Sequence, residues 1–366
     1  MKVYIHQQNE WPTFSWDNEQ ILLSLGTVRN MQGKIMGRME SLGFDLRKEA
    51  ELDTLTQDVL KSTEIEGELL NPDQVRSSIA RRLGLEISGS VESDRNVDGM
   101  VDMMMDAMQH FDKPLTSDRL FNWHSALFPA GRSGMYKITV ADWRNDSTGP
   151  MQVVSGAMGK EKVHYQAPDS SLIKSEMVRF IDWFNNENNI DLVLKASIAH
   201  LWFVTIHPFD DGNGRITRTL TDMLLARSDG NSQRFYSMSA QIRKERKQYY
   251  EILESTQKGN LDITNWLLWF LNCLMNALLS TESILSKVLF KAEFWNKYSK
   301  IILNERQRLL LNKLIDGLDG KLTSSKWAKI AKCSSDTALR DIQDLIDKDI
   351  LRKEDAGGRS TNYELK

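Results

Sequence analysis

The chain has 366 residues, 41% hydrophobic and 27% charged, an ordinary composition for a globular protein with two or three domains. A net charge of −3 sets up no whole-protein field favouring nucleic acid or an anionic membrane. Cys273 and Cys333 lie in separate segments without metal-ligand spacing, and the N-terminus lacks a charged-then-apolar signal pattern. The nearest approach to a membrane span, Trp266 to Leu279, is interrupted by Asn272 and Asn276. A reducing, cytoplasmic setting without membrane partners is the expectation.

Residues 1 to 16 hold Tyr4, Trp11, Phe14 and Trp16, which read as a packed aromatic cap, with a peptide-binding pocket as the sharper alternative. Asp17 can cap a helix running to about Leu42, and a second helix covers about Leu46 to Leu60. It leads into Ser62-Thr63-Glu64-Ile65-Glu66-Gly67, where Gly67 suits a C-cap. Pro72 suits the first turn of a helix over 72–83, and a polar loop follows from Gly84 to Asp94. The segment Val97 to Phe111 carries Met100, Met103, Met104, Met105 and Met108, which read as core filling. Thr116 or Ser117 caps a helix over 116–128 that includes Trp123 and His124, the latter in a core or supporting role.

From Gly131 to Pro168 the pattern changes to short β-prone pieces, Tyr136 to Val140 and Lys162 to Gln166, with Gly156 to Gly159 as a hairpin turn. Asp169 caps a helix from about Leu172 to Asn185. Residues 192–206 and 214–228 read as two core helices. Residues 236–257 include Tyr249, Tyr250 and Gln257. Residues 262–292 form long apolar helices that read as core or as a subunit contact, so a homo-oligomer, a homodimer in the simplest case, is expected.

Between the two core helices stands His207-Pro208-Phe209-Asp210-Asp211-Gly212-Asn213-Gly214-Arg215-Ile216-Thr217-Arg218. Gly212 and Gly214 permit φ > 0 and a close backbone approach to a ligand. They precede a helix whose first N–H groups form an anion site. Arg215 and Arg218, three apart, share one face of its first turn and suit a polyphosphate. Asp211 is a hard oxygen ligand of the kind Mg²⁺ prefers. His207, with a pKa near neutrality, can act as general base. Phe209 turns inward as an anchor. The assembly reads as phosphoryl or nucleotidyl transfer to a hydroxyl.

The stretch resembles the Fic family motif, His-x-Phe-x-[Asp/Glu]-Gly-Asn-Gly-Arg-x-x-Arg, at every defining position. The resemblance implies a protein adenylyltransferase that moves AMP from ATP, the co-substrate, to a Ser, Thr or Tyr hydroxyl of a target protein, itself included. It implies His207 as catalytic base, Asp211 as Mg²⁺ ligand, and Asn213 with the loop amides of Gly212 and Gly214 on the α- and β-phosphates. Arg215 would hold the β-phosphate and Arg218 the γ-phosphate. A related phosphorylating branch has Lys where this chain has Gly214, so AMP transfer is favoured. Ser62, Glu66 and Gly67 resemble the family's inhibitory signature, [Ser/Thr]-x-x-x-Glu-[Gly/Asn]. Glu66 paired with Arg218 would displace the γ-phosphate, and an alternative task for Glu66 is to orient water for AMP removal. The 131–168 region resembles the family's flap, which aligns a target segment by strand addition. Val163, His164 and Tyr165 would then line the adenine side and the target, although Ala167-Pro168 stands where the family often has Pro-Pro. Tyr249, Tyr250 and Gln257 are similar to a helix flanking the adenine.

After residue 300, helices over Glu305 to Leu318, Ser324 to Ala331 and Thr337 to Asp347 precede two short strands joined by Asp355 to Arg359, which resembles a winged helix-turn-helix. From Lys321 to Lys366 there are ten Lys/Arg against eight Asp/Glu, weak support for DNA binding, with protein docking or dimerisation the equal alternative. The expected fold is mostly α: a helical N-terminal region over 1–95, a Fic core over 96–292 with a β-hairpin flap, and a winged helix over 300–366. A DNA-binding regulator with a nucleotide-sensing site is the alternative function.

Overall fold

A computed structural model describes residues 4–40, 44–87, 89–147, 149–156, 160, 162–354 and 361–366. The turn residues 157–159 and the wing residues 355–359 singled out above lie outside the described residues. The chain forms two compact units, Met1–Leu85 with Val91–Glu282, and Glu86–Ser90 with Ser283–Lys366.

In the first unit, helix α1 spans Asn18–Glu40 and starts where the Asp17 carboxylate accepts the Glu19 and Gln20 amides. Helix α2 spans Phe44–Ile65, longer than the sequence pattern indicated. Its end is closed by Gly67 at φ 90°, with the Gly67 N–H on the Glu64 carbonyl and the Glu68 N–H on the Thr63 carbonyl, both at 3.1 Å. Helix α3 (Pro72–Leu83) is capped by Asn71 and stopped by left-handed Gly84. Helix α4 (Arg95–Gln109) buries Met100, Met103, Met104, Met105 and Met108. A Cβ on its Gly99 would lie 1.8 Å from the Ala126 carbonyl oxygen of α5 (Ser117–Leu127), so the two backbones touch.

Two small antiparallel hairpins follow: β1 (Arg132–Ser133) with β2 (Tyr136–Lys137), and β3 (Gln152–Ser155) with β4 (Lys162–Gln166). The second is the expected flap, with a register irregularity between Val153 and Val154. Helix α6 (Ser170–Asn186) is capped by Asp169, and α7 (Leu192–Ile206) by Asp191. Every residue from Val193 to Ile206 is buried, because neighbours cover α7 on all sides. Helix α8 (Asn213–Asp229) packs beside it. The single segment expected over 236–257 is two helices, α9 (Met238–Lys244) and α10 (Arg246–Gln257), separated at Glu245.

The helices expected over 262–292 are one continuous helix, α11 (Thr264–Lys297). Its two asparagines do not break it, so the sequence estimate of apolar length is corrected: α11 is long and apolar enough to cross a membrane by length and composition. Trp266, Leu267, Phe270, Leu271 and Leu274 on it are nonetheless buried in the protein's own core. The aromatic N-terminus is a packed cap: Trp11 and Phe14 meet Trp202 edge-on at centroid distances of 6.3 and 6.1 Å. A cavity of about 450 Å³ beside them is lined by Phe14, Trp16, Trp183 and Trp202.

The second unit contains α12 (Glu305–Asp316), α13 (Ser324–Ile330), α14 (Ser335–Asp347) and a hairpin of β5 (Leu351–Lys353) with β6 (Tyr363–Leu365). Its core centres on Trp327, with Leu310, Leu311, Ile342, Leu345 and Ile350 all buried. The order of elements is the one a winged helix requires.

Candidate active site

The motif loop begins where α7 ends. His207 is the C-cap residue in left-handed conformation, φ 52°, and its N–H still bonds the Phe203 carbonyl at 3.0 Å. Its ring Nδ1 lies 3.2 Å from the Val204 carbonyl oxygen. A carbonyl only accepts, so Nδ1 carries the proton and Nε2 keeps its lone pair. Burial lowers the pKa of His207 to about 4, so the ring is neutral at pH 7, lower than the sequence expectation of a value near neutrality.

Phe209 is fully buried and stacks on His124 at 4.2 Å with an interplanar angle of 11°. The Asn213 side chain clasps the Phe209 backbone, accepting its N–H at 3.0 Å and donating to its carbonyl at 2.8 Å. That side chain is therefore spent on the loop itself, and Asn213 presents a backbone N–H, not its amide, at the start of α8. Gly212 adopts φ 82°, and a Cβ there would lie 2.9 Å from the Phe128 ring. Gly214 differs from expectation. It is helical, and a Cβ there would lie 2.0 Å from Oε1 of Glu66.

The two motif arginines are buried and each is held by a carboxylate. Arg218 donates through Nε to the Ser62 hydroxyl at 2.9 Å, and through Nη2 to the Ser62 carbonyl at 2.8 Å and to Glu66 at 2.7 Å. Arg215 donates to Glu68 at 2.8 Å and lies 5.0 Å over the Phe128 ring. The Glu66–Arg218 pair follows the sequence reading. Glu68, two residues on, escaped it, and the only signal is its neighbourhood in Glu66-Gly67-Glu68.

Asp211 is half-exposed, with Oδ1 on the Gly212 N–H at 2.5 Å and Oδ2 accepting the Ser133 hydroxyl. Its carbonyl accepts His124 Nε2 at 3.1 Å, while the Asp210 carboxylate accepts the Thr139 N–H at 2.8 Å. Arg144, which nothing in the sequence marks, ties the loop to the flap. Its Nε donates to the His207 carbonyl at 2.8 Å, its N–H to the Pro208 carbonyl at 2.9 Å, and Nη2 to the Pro168 carbonyl.

The adenine-side residues fall into two groups. Val163 and Tyr250 reach the surface, and His164 is half-buried. Tyr165, expected there, is instead a core residue whose hydroxyl donates to the Thr205 carbonyl at 2.7 Å. Tyr249 is likewise buried, with its hydroxyl 3.0 Å from His200 Nε2. Gln257 is buried and donates to the Thr205 hydroxyl at 3.2 Å. Strand and helix periodicity turn these three toward α7, leaving their polar tips on its groups.

A neutral imidazole, a helix N-terminus and two guanidiniums thus surround one glycine-rich loop. Residues 114–225 match the sequence model of the Fic/DOC family. Residues 4–85 match a domain of unknown function, DUF4172. Among curated relatives, the chain is 38% identical over 87 residues to protein adenylyltransferase Fic of Drosophila grimshawi, covering 23% of this chain and 17% of that protein. It is 40% identical over 58 residues to protein adenylyltransferase fic-1 of Caenorhabditis elegans, covering 15% of this chain and 11% of that protein. These matches span less than a fifth of each relative's length. A solved Fic family protein from Desulfovibrio desulfuricans superposes with a TM-score of 0.52 at 19% identity, covering 94% of this chain and 96% of that one. The fold is shared with it.

Proposed function

We propose that the chain transfers AMP from MgATP to a Ser, Thr or Tyr hydroxyl of a protein, and that Glu66 restrains this activity. The observation that carries the reading is Glu66 on Arg218 at 2.7 Å, above a loop whose base, His207, is neutral with Nε2 free to accept a proton. The target hydroxyl gives its proton to Nε2 while its oxygen attacks the α-phosphorus and pyrophosphate leaves. The N–H groups of Asn213 and Gly214 and the two arginines bind phosphate oxygens. Among the described residues no group of three or more His, Cys, Asp or Glu could hold a metal ion. A half-exposed Asp211 beside bound phosphates nevertheless suits Mg²⁺, which takes few protein ligands. When bound, the ion neutralises charge on the phosphates.

While Glu66 holds Arg218, the γ-phosphate lacks its guanidinium and meets a carboxylate instead. Glu68 does the same at Arg215, so both phosphate-binding arginines are tied off by one turn. Supporting transfer over DNA binding, the exposed residues of α14 include Asp336 and Asp347 against Arg340, which would repel a phosphate backbone.

The test is incubation with α-labelled ATP and Mg²⁺, alone and with cell lysate. Releasing one charge-assisted contact of about 1.5–3 kcal/mol corresponds to a gain of about 10–100-fold, so Glu66→Gly is expected to raise protein labelling by that factor. Adding His207→Ala is expected to lower it again by about 100-fold or more. Equal labelling in wild type and both variants would overturn the reading. Loss of label from a pre-AMPylated protein in a Glu66-dependent manner would reassign Glu66 to AMP removal.

A further inference from the structure

The cavity of about 450 Å³ beside the aromatic N-terminus takes no part in the motif loop. Its walls are aromatic and inclined steeply to one another. Trp202 meets Phe14 at 76° and Trp183 at 55°, with centroid separations of 6.1 and 5.2 Å, and Trp16 belongs to the same lining. Trp202 and Ile198 of α7, 4% and 2% exposed, form the floor. A volume of this size suits a small molecule, and rings set at an angle grip a flat apolar group from more than one side.

The mouth carries two charges of opposite sign. Arg179 and Asp182 line the cavity, are exposed, and stand three apart on α6, so they share one face of that helix. Arg179 is held in place by Nη1 on Glu176 at 3.3 Å and Nη2 on the Trp11 carbonyl at 3.0 Å, and its remaining N–H groups can bind a ligand. Oδ1 of Asp182 accepts the Asn186 amide at 2.7 Å, and Oδ2 has no partner among the described residues.

These charges select the ligand. A simple cation meets Arg179, and Lys195 already sits 5.5 Å over the Trp183 ring, using that ring's attraction for positive charge. A simple anion meets Asp182. A neutral apolar molecule covers both charges and pairs neither. A zwitterion with an apolar body satisfies every wall.

We propose that this cavity binds a free α-amino acid with an aromatic side chain. Its ring enters the aromatic box, its carboxylate pairs with Arg179 and its ammonium with Asp182. The α-carbon carries its two charged groups side by side, as α6 carries Arg179 and Asp182. Trp202 lies on the helix that His207 closes, so an occupant contacts the element leading into the motif loop.

The test is isothermal titration calorimetry on the full chain in the absence of ATP. The titrants are L-phenylalanine, L-tyrosine and L-tryptophan, each with its decarboxylated amine and its deaminated acid, and L-alanine, which lacks the ring. At least one of the three aromatic amino acids is expected to bind at one per chain, and L-alanine is expected not to bind. The matching amine and acid are each expected to bind about five- to tenfold more weakly, the worth of one half-exposed ion pair. Asp182→Asn is expected to weaken the amino acid by that factor and to leave the deaminated acid as tight or tighter. Arg179→Gln is expected to weaken the amino acid and spare the amine. Arg179 also holds the Trp11 carbonyl, so the Asp182→Asn result decides if Arg179→Gln fails to fold. No binding of any of the three at millimolar concentration overturns the inference, and so does an amine or acid that binds as tightly as its parent. Because ATP takes no part, such a failure leaves the transfer reading standing.

Discussion

At the scale of single residues, two positions decide what the loop can do. Gly214 is the seat of the Glu66 carboxylate, since a Cβ would come within 2.0 Å of Oε1. Gly214→Ala is therefore expected to push the Glu66 carboxylate off Arg218 and to destabilise the wild-type protein by no more than that charge-assisted contact, about 1.5–3 kcal/mol. In a Glu66→Gly background the same change is expected to be neutral or stabilising by up to about 1 kcal/mol, because alanine is the better helix former. A double-mutant cycle by denaturant unfolding reads the coupling directly. His207, pushed down to about 4 by burial, must be neutral to accept a proton. Its contribution to kcat/KM in the Glu66→Gly protein is expected to be lost as pH falls through about 4, with no loss from this group between pH 6 and 8. A limb centred near pH 6.5 would mean that the free enzyme's histidine is solvated.

At the scale of elements, α2 is a core helix and not a detachable arm. Its Asp58 accepts the Ser237 hydroxyl at 2.5 Å, its Glu64 pairs with Arg243 at 3.0 Å, and its terminal Ile65 carbonyl accepts Arg246 at 2.9 Å. Release of Glu66 thus needs only a side-chain and turn movement, with the helix left in place. Burial, then the neighbouring Asp222, raises the pKa of Asp58 from 3.8 to about 7. A raised carboxyl makes the folded state bind more protons than the unfolded chain. Stability therefore falls as pH rises from about 4 to about 7 and stays at the lower level above. Asp58→Asn keeps the acceptor for Ser237 and removes the ionisation, so its melting temperature is expected to exceed that of wild type at pH 8, with a smaller difference at pH 5. Helix positions such as α3 were legible because Asn71, Pro72 and Gly84 are local signals. The extra turn of α2 was not, because its last residues are held by α8, α9 and α10.

At the scale of the molecule, the second unit has its own core around Trp327, fully buried. Trp327→Ala is expected to cost that unit about 3–5 kcal/mol. Differential scanning calorimetry should then show one transition lowered and the transition of the first unit unmoved; a single shared shift would mean that the two units unfold together. The first unit includes both the N-terminal helices and the motif helices, so Ser62, Glu66 and Glu68 are part of the same compact body as the loop they act on.

By itself, the sequence determined which residues gather at the motif, because His207–Gly212 is a short link between two apolar helices and Asn213–Arg218 open the second of them. Helix caps and strand β4 were legible for the same reason, each being set by neighbours in the chain, whereas β3 was not read and the strand expected over Tyr136 to Val140 forms only at Tyr136–Lys137. Only the tertiary structure decided which groups face those residues. Glu68 lies 147 positions from Arg215 and Glu254 lies 90 from His164, whereas the Glu66–Arg218 pair, 152 apart, was anticipated only through the family resemblance. Such pairs depend on how whole helices pack, and no local pattern of residue types encodes that distance.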